Sequence, residues 1–216
     1  ADFGVIGEGE KVFPELVDRI VGGSDWSDLA GLVWATDGRV RANAPGFIED
    51  LDSLRPPRIE LFDGRRYAAE GGASSVISKQ GCSFRCLYCD SPHVMGSRWR
   101  KKSPERVAEE LESLQREMGG GLVFFTDAVF NHPPDYAGEI CDAIIGRGLD
   151  VGWIAMVHPA FARRDLFEGD VIYTSVPMIE PSVISGPPLM VMFSCSNPQR
   201  RVLRLHGLVH NRQERC

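Results

Sequence analysis

A run of three closely spaced cysteines constrains this chain more than any other feature. Cys82, Cys86 and Cys89 form a C-x3-C-x2-C pattern in a loop that follows the strand-like residues 74–78. Three thiolates so near one another predict a metal or cluster site, because a loop that wraps around a cubane cluster can bring them to three of its four irons. The fourth iron is then left without a protein ligand, which makes it a place where a substrate or cofactor can bind.

Two other interpretations of this loop fit the spacing less well. A small zinc site could use the three cysteines together with His93, since thiolate and imidazole both bind zinc. Structural zinc sites usually combine two short clips separated by a longer loop, whereas these four residues are crowded into one loop. A disulfide framework is disfavoured because three clustered cysteines cannot pair evenly, and we expect no secretory signal.

Length and composition limit the class of protein. The chain has 216 residues, 43% of them hydrophobic, which is enough for the core of one full domain or two partial ones. A net charge of -6 argues against a general nucleic-acid surface, and no apolar run reaches membrane-spanning length. Six cysteines, three of them clustered, indicate a reducing compartment, so we expect a cytoplasmic location. We also expect the chain to be a piece of a longer protein.

The cysteine spacing, with Tyr88 directly before the third cysteine, resembles the signature of the radical S-adenosylmethionine (radical SAM) enzymes. In that family three cysteines hold a [4Fe-4S] cluster, and the open iron binds the amino and carboxylate groups of SAM. One electron from the cluster cleaves SAM to methionine and a 5′-deoxyadenosyl radical, which abstracts hydrogen from a substrate. The resemblance implies that Tyr88 flanks the adenine, and that an electron donor such as flavodoxin or ferredoxin is a partner.

The first residues predict a strand, a glycine-rich turn and a helix. The strand-like residues 2–6 are followed by Gly7-Glu8-Gly9-Glu10 and then by apolar residues at helical spacing. This turn can bind an anionic or polar ligand with its backbone N–H groups, but a tight turn that needs glycine explains it equally well. Beside the cysteine loop, residues 1–18 resemble the last strand and helix of the cobalamin-binding domain of one radical SAM subgroup. The resemblance implies that Gly7, Glu8 and Gly9 contact cobalamin, although the chain has no Asp-x-His-x-x-Gly motif for a cobalt ligand.

The next segment predicts a connector without chemistry of its own. Asp37-Gly38 lies between two strand-like runs and is a strong two-residue hairpin signal. Pro56-Pro57 then disfavours a helix before it and indicates an extended segment. This hairpin and proline linker are also similar to the connector of the cobalamin-type radical SAM enzymes.

Strands and helices alternate after the cysteine loop. Ser103-Pro104 predicts a helix start and Gly119 its end, and the apolar residues 122–126 predict a buried strand. A second helix over 136–147 and a strand over 151–157 follow, and further strands are predicted at 170–175 and 189–194. The alternation indicates parallel βαβ units. The predicted fold is α/β: a partial parallel (β/α) barrel of the radical SAM type, preceded by the last βα unit of a cobalamin-binding Rossmann-like domain and a hairpin linker.

Polar residues at the strand ends give further candidates. Functional groups of α/β barrels project from the carboxyl ends of strands, where Thr126 and Asp127 lie. In the radical SAM family, a short motif after the second strand binds the SAM amino group, and this motif is often Gly-Gly-Glu. The resemblance implies that Thr126 and Asp127 take this role. His158 is either a proton donor or substrate contact, or simply a loop residue. The basic run that begins at Trp99 and continues with Arg100, Lys101 and Lys102 either contacts an anionic substrate near the cluster or forms a solvated loop, and the solvated loop is the interpretation we favour.

These observations predict four regions. They are the end of a cobalamin-binding domain (1–23), a hairpin and proline-containing linker (24–72), the first βα units of a radical SAM core (73–168) and a divergent or unassigned tail (169–216). The expected function is an iron-sulfur, metal-binding radical SAM enzyme with a [4Fe-4S] cluster, SAM and cobalamin, which transfers methyl or carries out related radical chemistry on an unknown small-molecule or lipid-like substrate. No residue is predicted to be catalytic beyond these cofactor contacts.

Two alternatives remain. A cobalamin-independent radical SAM enzyme such as a methylthiotransferase needs a second cluster. Cys141, Cys195 and Cys216 are too scattered in the sequence to suggest one. A non-catalytic iron-sulfur fragment would hold a cluster with no open iron and would not bind SAM.

Overall fold

The computed structural model of the chain describes residues 1–87, 89–119, 122–161 and 189–195. For residues 189–195 the structure describes the backbone alone. Tyr88, the predicted strand at 170–175 and the rest of the predicted tail apart from 189–195 lie outside the described residues. In the described part of the chain, no helix combines the length and the apolar character needed to cross a membrane.

The first unit contains strand β1 (Phe3–Val5), helix α1 (Gly9–Gly22) and the hairpin of β2 (Leu32–Thr36) and β3 (Arg39–Ala42). The hairpin turn is confirmed: Asp37 and Gly38 both have positive φ, 50° and 69°, as a two-residue turn between twisted strands requires. The three strands form an antiparallel sheet in the order β1-β2-β3. A small core of Leu16, Leu29 and Leu32 lies between this sheet and α1.

The hairpin pairs directly with the first strand. Strand β2 pairs along the whole of β1, with Phe3 opposite Trp34 and Val5 opposite Leu32. The hairpin therefore belongs to the same packed unit as β1, because it covers one edge of that strand.

The second unit is a four-stranded sheet in the order β4-β7-β8-β9, with the helices Pro104–Met118 (α4) and Pro134–Gly146 (α5) in its crossovers. Its strands are β4 (Ser74–Val76), β7 (Leu122–Phe125), β8 (Val151–Val157) and β9 (Leu189–Cys195). Strands β4, β7 and β8 are parallel, as predicted, but β9 runs antiparallel to β8. The predicted strand at 189–194 is confirmed, whereas its direction departs from an all-parallel sheet.

The helices of this unit begin and end where their sequence signals indicate. In α4 (Pro104–Met118), the Ser103 side chain accepts a hydrogen bond from the Arg106 amide, and Gly119 ends the helix with φ 70°. Helix α5 (Pro134–Gly146) begins two residues earlier than predicted. The two helices bury their apolar sides against the sheet, in a core that includes Leu111, Phe125, Ile140 and Trp153.

Besides three 3-10 turns at Leu51–Ser53, Ile59–Leu61 and Pro159–Phe161, four short helices and strands were not predicted. They are α2 (Gly64–Ala69), β5 (Lys79–Gln80), α3 (Ser91–Val94) and β6 (Arg100–Lys101). Strands β5 and β6 pair with each other at the two ends of the cysteine-bearing segment. We call residues 81–99, which lie between these two strands, the cysteine loop.

Candidate functional site

The cysteine loop is closed at its base by backbone contacts. Lys79 pairs with Lys101 and Gln80 with Arg100, so the two ends of the loop lie side by side. Just inside the loop, the Cys82 amide donates a 3.0 Å hydrogen bond to the Gly96 carbonyl. Gly81 has φ 88°, and a Cβ there would lie 2.0 Å from the Arg98 carbonyl oxygen. Only glycine fits at this position, so the entry to the loop is fixed by sequence.

The three cysteines of the loop carry free thiols in different environments. Cys82 is buried, Cys86 is exposed and Cys89 is half-buried, with its Sγ 3.3 Å from the Ser91 hydroxyl. Burial raises the pKa of the Cys82 thiol, a hydrogen bond from the Phe84 amide opposes that shift, and charge on Cys89 and Cys86 adds to it. The Cys82 thiolate is therefore unfavourable unless a cation lies beside it.

This set of donors fits an iron-sulfur cluster by its chemistry. Thiolates are the protein ligands of such clusters, and the irons of a bound cluster would offset the charge that makes the Cys82 thiolate unfavourable. Cys82, Cys86 and Cys89 are the residues that would hold it. Among the residues that the structure describes, no three or more His, Cys, Asp or Glu side chains are placed as ligands of a single metal ion.

Asp127, one of the two strand-end residues predicted to contact SAM, is enclosed at the carboxyl end of β7. Its Oδ1 accepts hydrogen bonds from the Ser78 and Lys79 amides, and its Oδ2 accepts from the Ser78 hydroxyl and from Lys79 Nζ at 3.0 Å. The side chains of Asp127 and Lys79 are both fully buried. Asp127 therefore joins the end of β7 to the start of the cysteine loop, and a ligand could reach its carboxylate only if these partners moved.

Thr126, the neighbour of Asp127, faces outward. Its side chain is exposed at the end of β7, and its hydroxyl donates a 3.3 Å hydrogen bond to the Val76 carbonyl. Of the two residues predicted at this strand end, Thr126 is the one that a ligand can reach without rearrangement.

Lys79, which the sequence did not single out, is the buried cation of this site. Its ammonium donates to Asp127 and, at 2.9 Å, to the Phe130 carbonyl, and it lies 5.3 to 5.7 Å from the ring centroids of Phe130, Tyr136 and Trp99. Burial lowers the pKa of Lys79, while the Asp127 carboxylate opposes that shift. The signal that could have found this residue is a lysine at the end of a strand, directly before the cysteine loop.

Two rings of the cysteine loop pack against rings that follow β7 and β8. Phe84 and Trp99 belong to the loop, and His132, His158 and Phe161 follow the strands. The His158 ring stacks on Phe84 at a centroid distance of 5.4 Å, which places this predicted candidate beside the loop.

The two histidines of this group differ in their polar contacts. The His158 amide donates to Asn131 Oδ1 at 2.8 Å, and its Nδ1 accepts from the Ala160 amide at 3.2 Å. His132 Nδ1 is buried without a hydrogen-bond partner. Burial first, and then the charges of Lys79 and His158, lower the pKa of His132, so its neutral form is favoured.

The basic residues after the cysteine loop do not form a solvated loop, which was the interpretation that the sequence favoured. Arg100 pairs with Glu8 and Lys102 with Glu110, and all four of these side chains are at most 8% exposed. Only Lys101 in this set is exposed. The prediction was wrong for Arg100 and Lys102 because their partners are far away in the sequence or hidden on a helix.

The Gly7-Glu8-Gly9 turn, predicted as a cobalamin contact, lies beside the cysteine loop. Together with Gln80, Val94 and Met95 the turn lines an open crevice of about 520 Å³. The Glu8 side chain points away from solvent and pairs with Arg100, so within the turn the two glycines present backbone to this space. The structure thus brings together two segments that are more than seventy residues apart.

Comparison with known proteins agrees with this geometry. Residues 76–166 match the Radical SAM superfamily. An uncharacterised methyltransferase of Pyrococcus horikoshii is 37% identical over 153 residues, which are 70% of this chain and 33% of that protein. The anaerobic magnesium-protoporphyrin IX monomethyl ester cyclase of Synechocystis is 29% identical over 76% of this chain and 33% of its own length. The chain thus spans about a third of the length of these relatives.

Among solved structures, the radical SAM methyltransferase TsrM of Kitasatospora setae, determined with cobalamin and a [4Fe-4S] cluster bound, matches with a TM-score of 0.55. It is 26% identical, and the match covers 68% of this chain and 30% of TsrM. The three free cysteines in one closed loop, the parallel strands beside it and these matches together show that the chain belongs to the radical SAM superfamily, a family of enzymes.

Proposed function

We propose that Cys82, Cys86 and Cys89 hold a [4Fe-4S] cluster and that SAM binds at its open iron. The observation that carries this proposal is the closed cysteine loop, in which three free thiols lie between backbone contacts that fix both ends. When bound, the cluster supplies the electron that cleaves SAM to a 5′-deoxyadenosyl radical. The protein holds the loop, orients SAM and limits access of water.

The residues at the ends of β4 and β7 have distinct parts in this proposal. Thr126 is the contact for the SAM amino group, because its side chain is exposed at the strand end. Asp127 and Lys79 hold the start of the cysteine loop in place through their buried ion pair. Tyr88, directly before the third cysteine, flanks the adenine. Phe84 of the loop stacks on His158 and limits the access of water on the side of the strand ends.

We further propose that the complete enzyme depends on cobalamin and transfers a methyl group or carries out related radical chemistry. Gly7 and Gly9 contribute backbone surface to the crevice beside the cysteine loop, where a second cofactor would face the first. The turn residue Glu8 acts indirectly, through Arg100. Relatives that include a methyltransferase support this reaction class. The substrate and the electron donor would bind the complete protein.

The surface around α1 supports a further domain on this side. Phe13, Val17 and Val21 are 61%, 42% and 82% exposed, which is unusual for three apolar residues on one helix. Within the described residues, β1 pairs along one edge only, with β2. An apolar helix face and an open strand edge next to each other are what additional βα units would cover. We assign residues 1–23 to the end of such a cobalamin-binding domain.

Anaerobic reconstitution with iron and sulfide tests the cluster site. The reduced protein should give the EPR signal of a [4Fe-4S] cluster, and SAM should perturb that signal. Cys86→Ala should abolish the signal, whereas Cys141→Ala in α5, outside the loop, should leave it unchanged. A folded protein without a cluster would contradict the proposal. A cluster indifferent to SAM would instead indicate an iron-sulfur fragment without an open iron.

Titration with hydroxocobalamin tests the second site. A Cβ added at Gly9 meets no atom within 4 Å, so the backbone tolerates a side chain there, and Gly9→Phe should extend its ring into the crevice. We expect this variant to weaken cobalamin binding by about tenfold or more, which corresponds to about 1.4 kcal/mol. Gly138→Phe on α5, a site where an added Cβ is also unobstructed, is the matched control. Equal binding by both variants would place cobalamin elsewhere.

A further inference from the structure

Arg100 connects three segments of the chain that meet at the crevice. Its Nη1 donates to Glu8 Oε2 at 2.6 Å and to the Ile48 carbonyl at 2.9 Å, and its Nη2 donates to the Met95 carbonyl at 2.6 Å. A second contact of 2.5 Å joins Nη2 to Glu8 Oε1. The guanidinium also lies over the Phe47 ring at 5.1 Å. One side chain therefore binds the glycine turn, the connector and the cysteine loop.

Glu8 completes this contact from the other side. It is the residue before α1, where a side chain often caps its own helix, yet Glu8 makes no such bond. Its Oε2 instead accepts a 2.6 Å hydrogen bond from the Ile48 amide in addition to the bond from Arg100. The carboxylate is thus committed to a partner 92 residues away.

Stability alone is a weak reason for such a pair. The side chains of Arg100 and Glu8 are 4% and 6% exposed, and well-packed apolar residues in place of a buried ion pair are often as stable or more stable. What apolar residues do not supply is direction. A guanidinium is a rigid planar fork, so its hydrogen bonds to several segments fix the distances and angles between them.

We infer that Arg100 is a positioning residue that holds the Gly7-Glu8-Gly9 turn against the cysteine loop, so that the two walls of the crevice keep a fixed separation. This role of Arg100 deepens the proposed function. It rests on the proposed function only for the identity of the cofactor that binds at each wall. In that function, Arg100 sets how the second cofactor faces the cluster while touching neither of them.

Hydrogen exchange of the full chain without its cofactors tests this role. Two amides report on the two walls: the Ile48 amide donates to Glu8, and the Cys82 amide donates to Gly96, next to Met95. We expect Arg100→Met to speed the exchange of both amides by about tenfold, while amides in α4 keep their rates. Arg106→Met, which removes a half-buried arginine that pairs with Glu110, is the control and should leave both reporters protected.

Arg100→Lys separates positioning from simple packing. One ammonium can still pair with Glu8 but cannot reproduce the fork that also reaches Met95. We expect the Ile48 amide to stay protected and the Cys82 amide to exchange faster. The inference is overturned if Arg100→Met leaves both amides as slow as in the unmodified protein, or if Arg100→Lys affects both equally. Should Arg100→Met not fold, Arg100→Lys decides the question alone.

The outcome is independent of cluster assembly. Failure of every variant, and of the unmodified protein, to take up iron would refute the proposed function while leaving the exchange result on Arg100 intact. Conversely, normal iron uptake with no change of exchange in either Arg100 variant would refute the inference and leave the proposed function standing.

Discussion

The ion pair of Lys79 and Asp127 offers a sharp test of how the cysteine loop is held. Asp127→Asn keeps the size of the side chain and most of its hydrogen-bonding capacity toward Ser78, but it removes the negative charge. With the amide oxygen still accepting from the Ser78 and Lys79 amides, the fully buried Lys79 ammonium would keep only the Phe130 carbonyl and the surrounding rings as partners. The perturbation is therefore an uncompensated buried charge with little change in packing.

The expected loss follows from the burial of the pair. Removing one partner of a buried ion pair typically costs about 3 to 5 kcal/mol, and the lower end applies here because asparagine still accepts hydrogen bonds. For a chain of 216 residues this corresponds to a decrease in Tm of about 6 to 12 °C. The double variant Lys79→Met with Asp127→Asn should recover much of the loss, because it leaves no buried charge without a partner.

Urea denaturation followed by circular dichroism measures these free energies of unfolding. The control is Arg98→Met, which breaks the pair of Arg98 with Glu49, both of them at least 66% exposed, and should change stability by no more than about 0.5 kcal/mol. If Asp127→Asn were as mild as this control, or if the double variant lost the sum of the single losses, the pair would not hold the loop as argued.

The same pair predicts a pH dependence. Burial already lowers the pKa of Lys79 in the folded state below its value of 10.5 in the unfolded chain, and Asp127→Asn removes the charge that opposes this shift. In the variant, the unfolded state binds more protons than the folded state over a wider range of pH. The stability of the variant should therefore rise as the pH increases toward 10.5. The deficit relative to the unmodified protein should shrink in alkaline urea titrations. A deficit independent of pH would argue against an uncompensated Lys79 charge.

Four further substitutions test local structure. Ser103→Ala removes the hydrogen bond to the Arg106 amide and should lower the free energy of unfolding in urea by about 1 kcal/mol; no loss would show that α4 needs no cap. Gly138→Ala should raise the free energy of unfolding by about 0.5 to 1 kcal/mol, with a slightly higher Tm. Gly38→Ala, at φ 69°, should lower the free energy of unfolding by at least about 1 kcal/mol, and equal effects of the two substitutions would contradict the turn geometry. Because the pKa of His132 is lowered below 6.5, stability should fall as the pH drops through 6.5, and His132→Gln should flatten that dependence in thermal melts; an unchanged slope would exclude His132 as its source.

Local signals were sufficient for the elements that depend on neighbouring residues. The hairpin at Asp37-Gly38 and the start of α4 at Ser103-Pro104 follow from conformational preferences within a few residues, and β8 has the predicted bounds. Helix α2 was missed although Asp63, whose side chain accepts from the Arg66 amide, is a cap signal of the same kind. The prolines before it drew the interpretation toward an extended linker.

The contacts that organise the site could not be predicted from residues that are close in the sequence. A basic run is usually solvated, and nothing near Arg100 in the sequence indicates that its partner is Glu8. The resemblance implied a SAM contact for Asp127, and nothing near it in the sequence indicates its ion pair with Lys79, 48 residues earlier. Such long-range pairs depend on how distant segments of the chain pack together, which residue patterns do not encode.

The position of these pairs has a consequence for the loop itself. Three buried cations, Lys79, Arg100 and Lys102, flank its two ends, and each has a buried carboxylate as its partner. The loop cannot be held by apolar burial alone, because residues such as Leu87 within it are fully exposed. Charged contacts at its base are directional and leave the thiols free, so they can fix the frame of the loop before any cofactor binds. We therefore expect Cys86→Ala, which empties the proposed cluster site, to leave the protection of the Cys82 amide in the cluster-free chain unchanged.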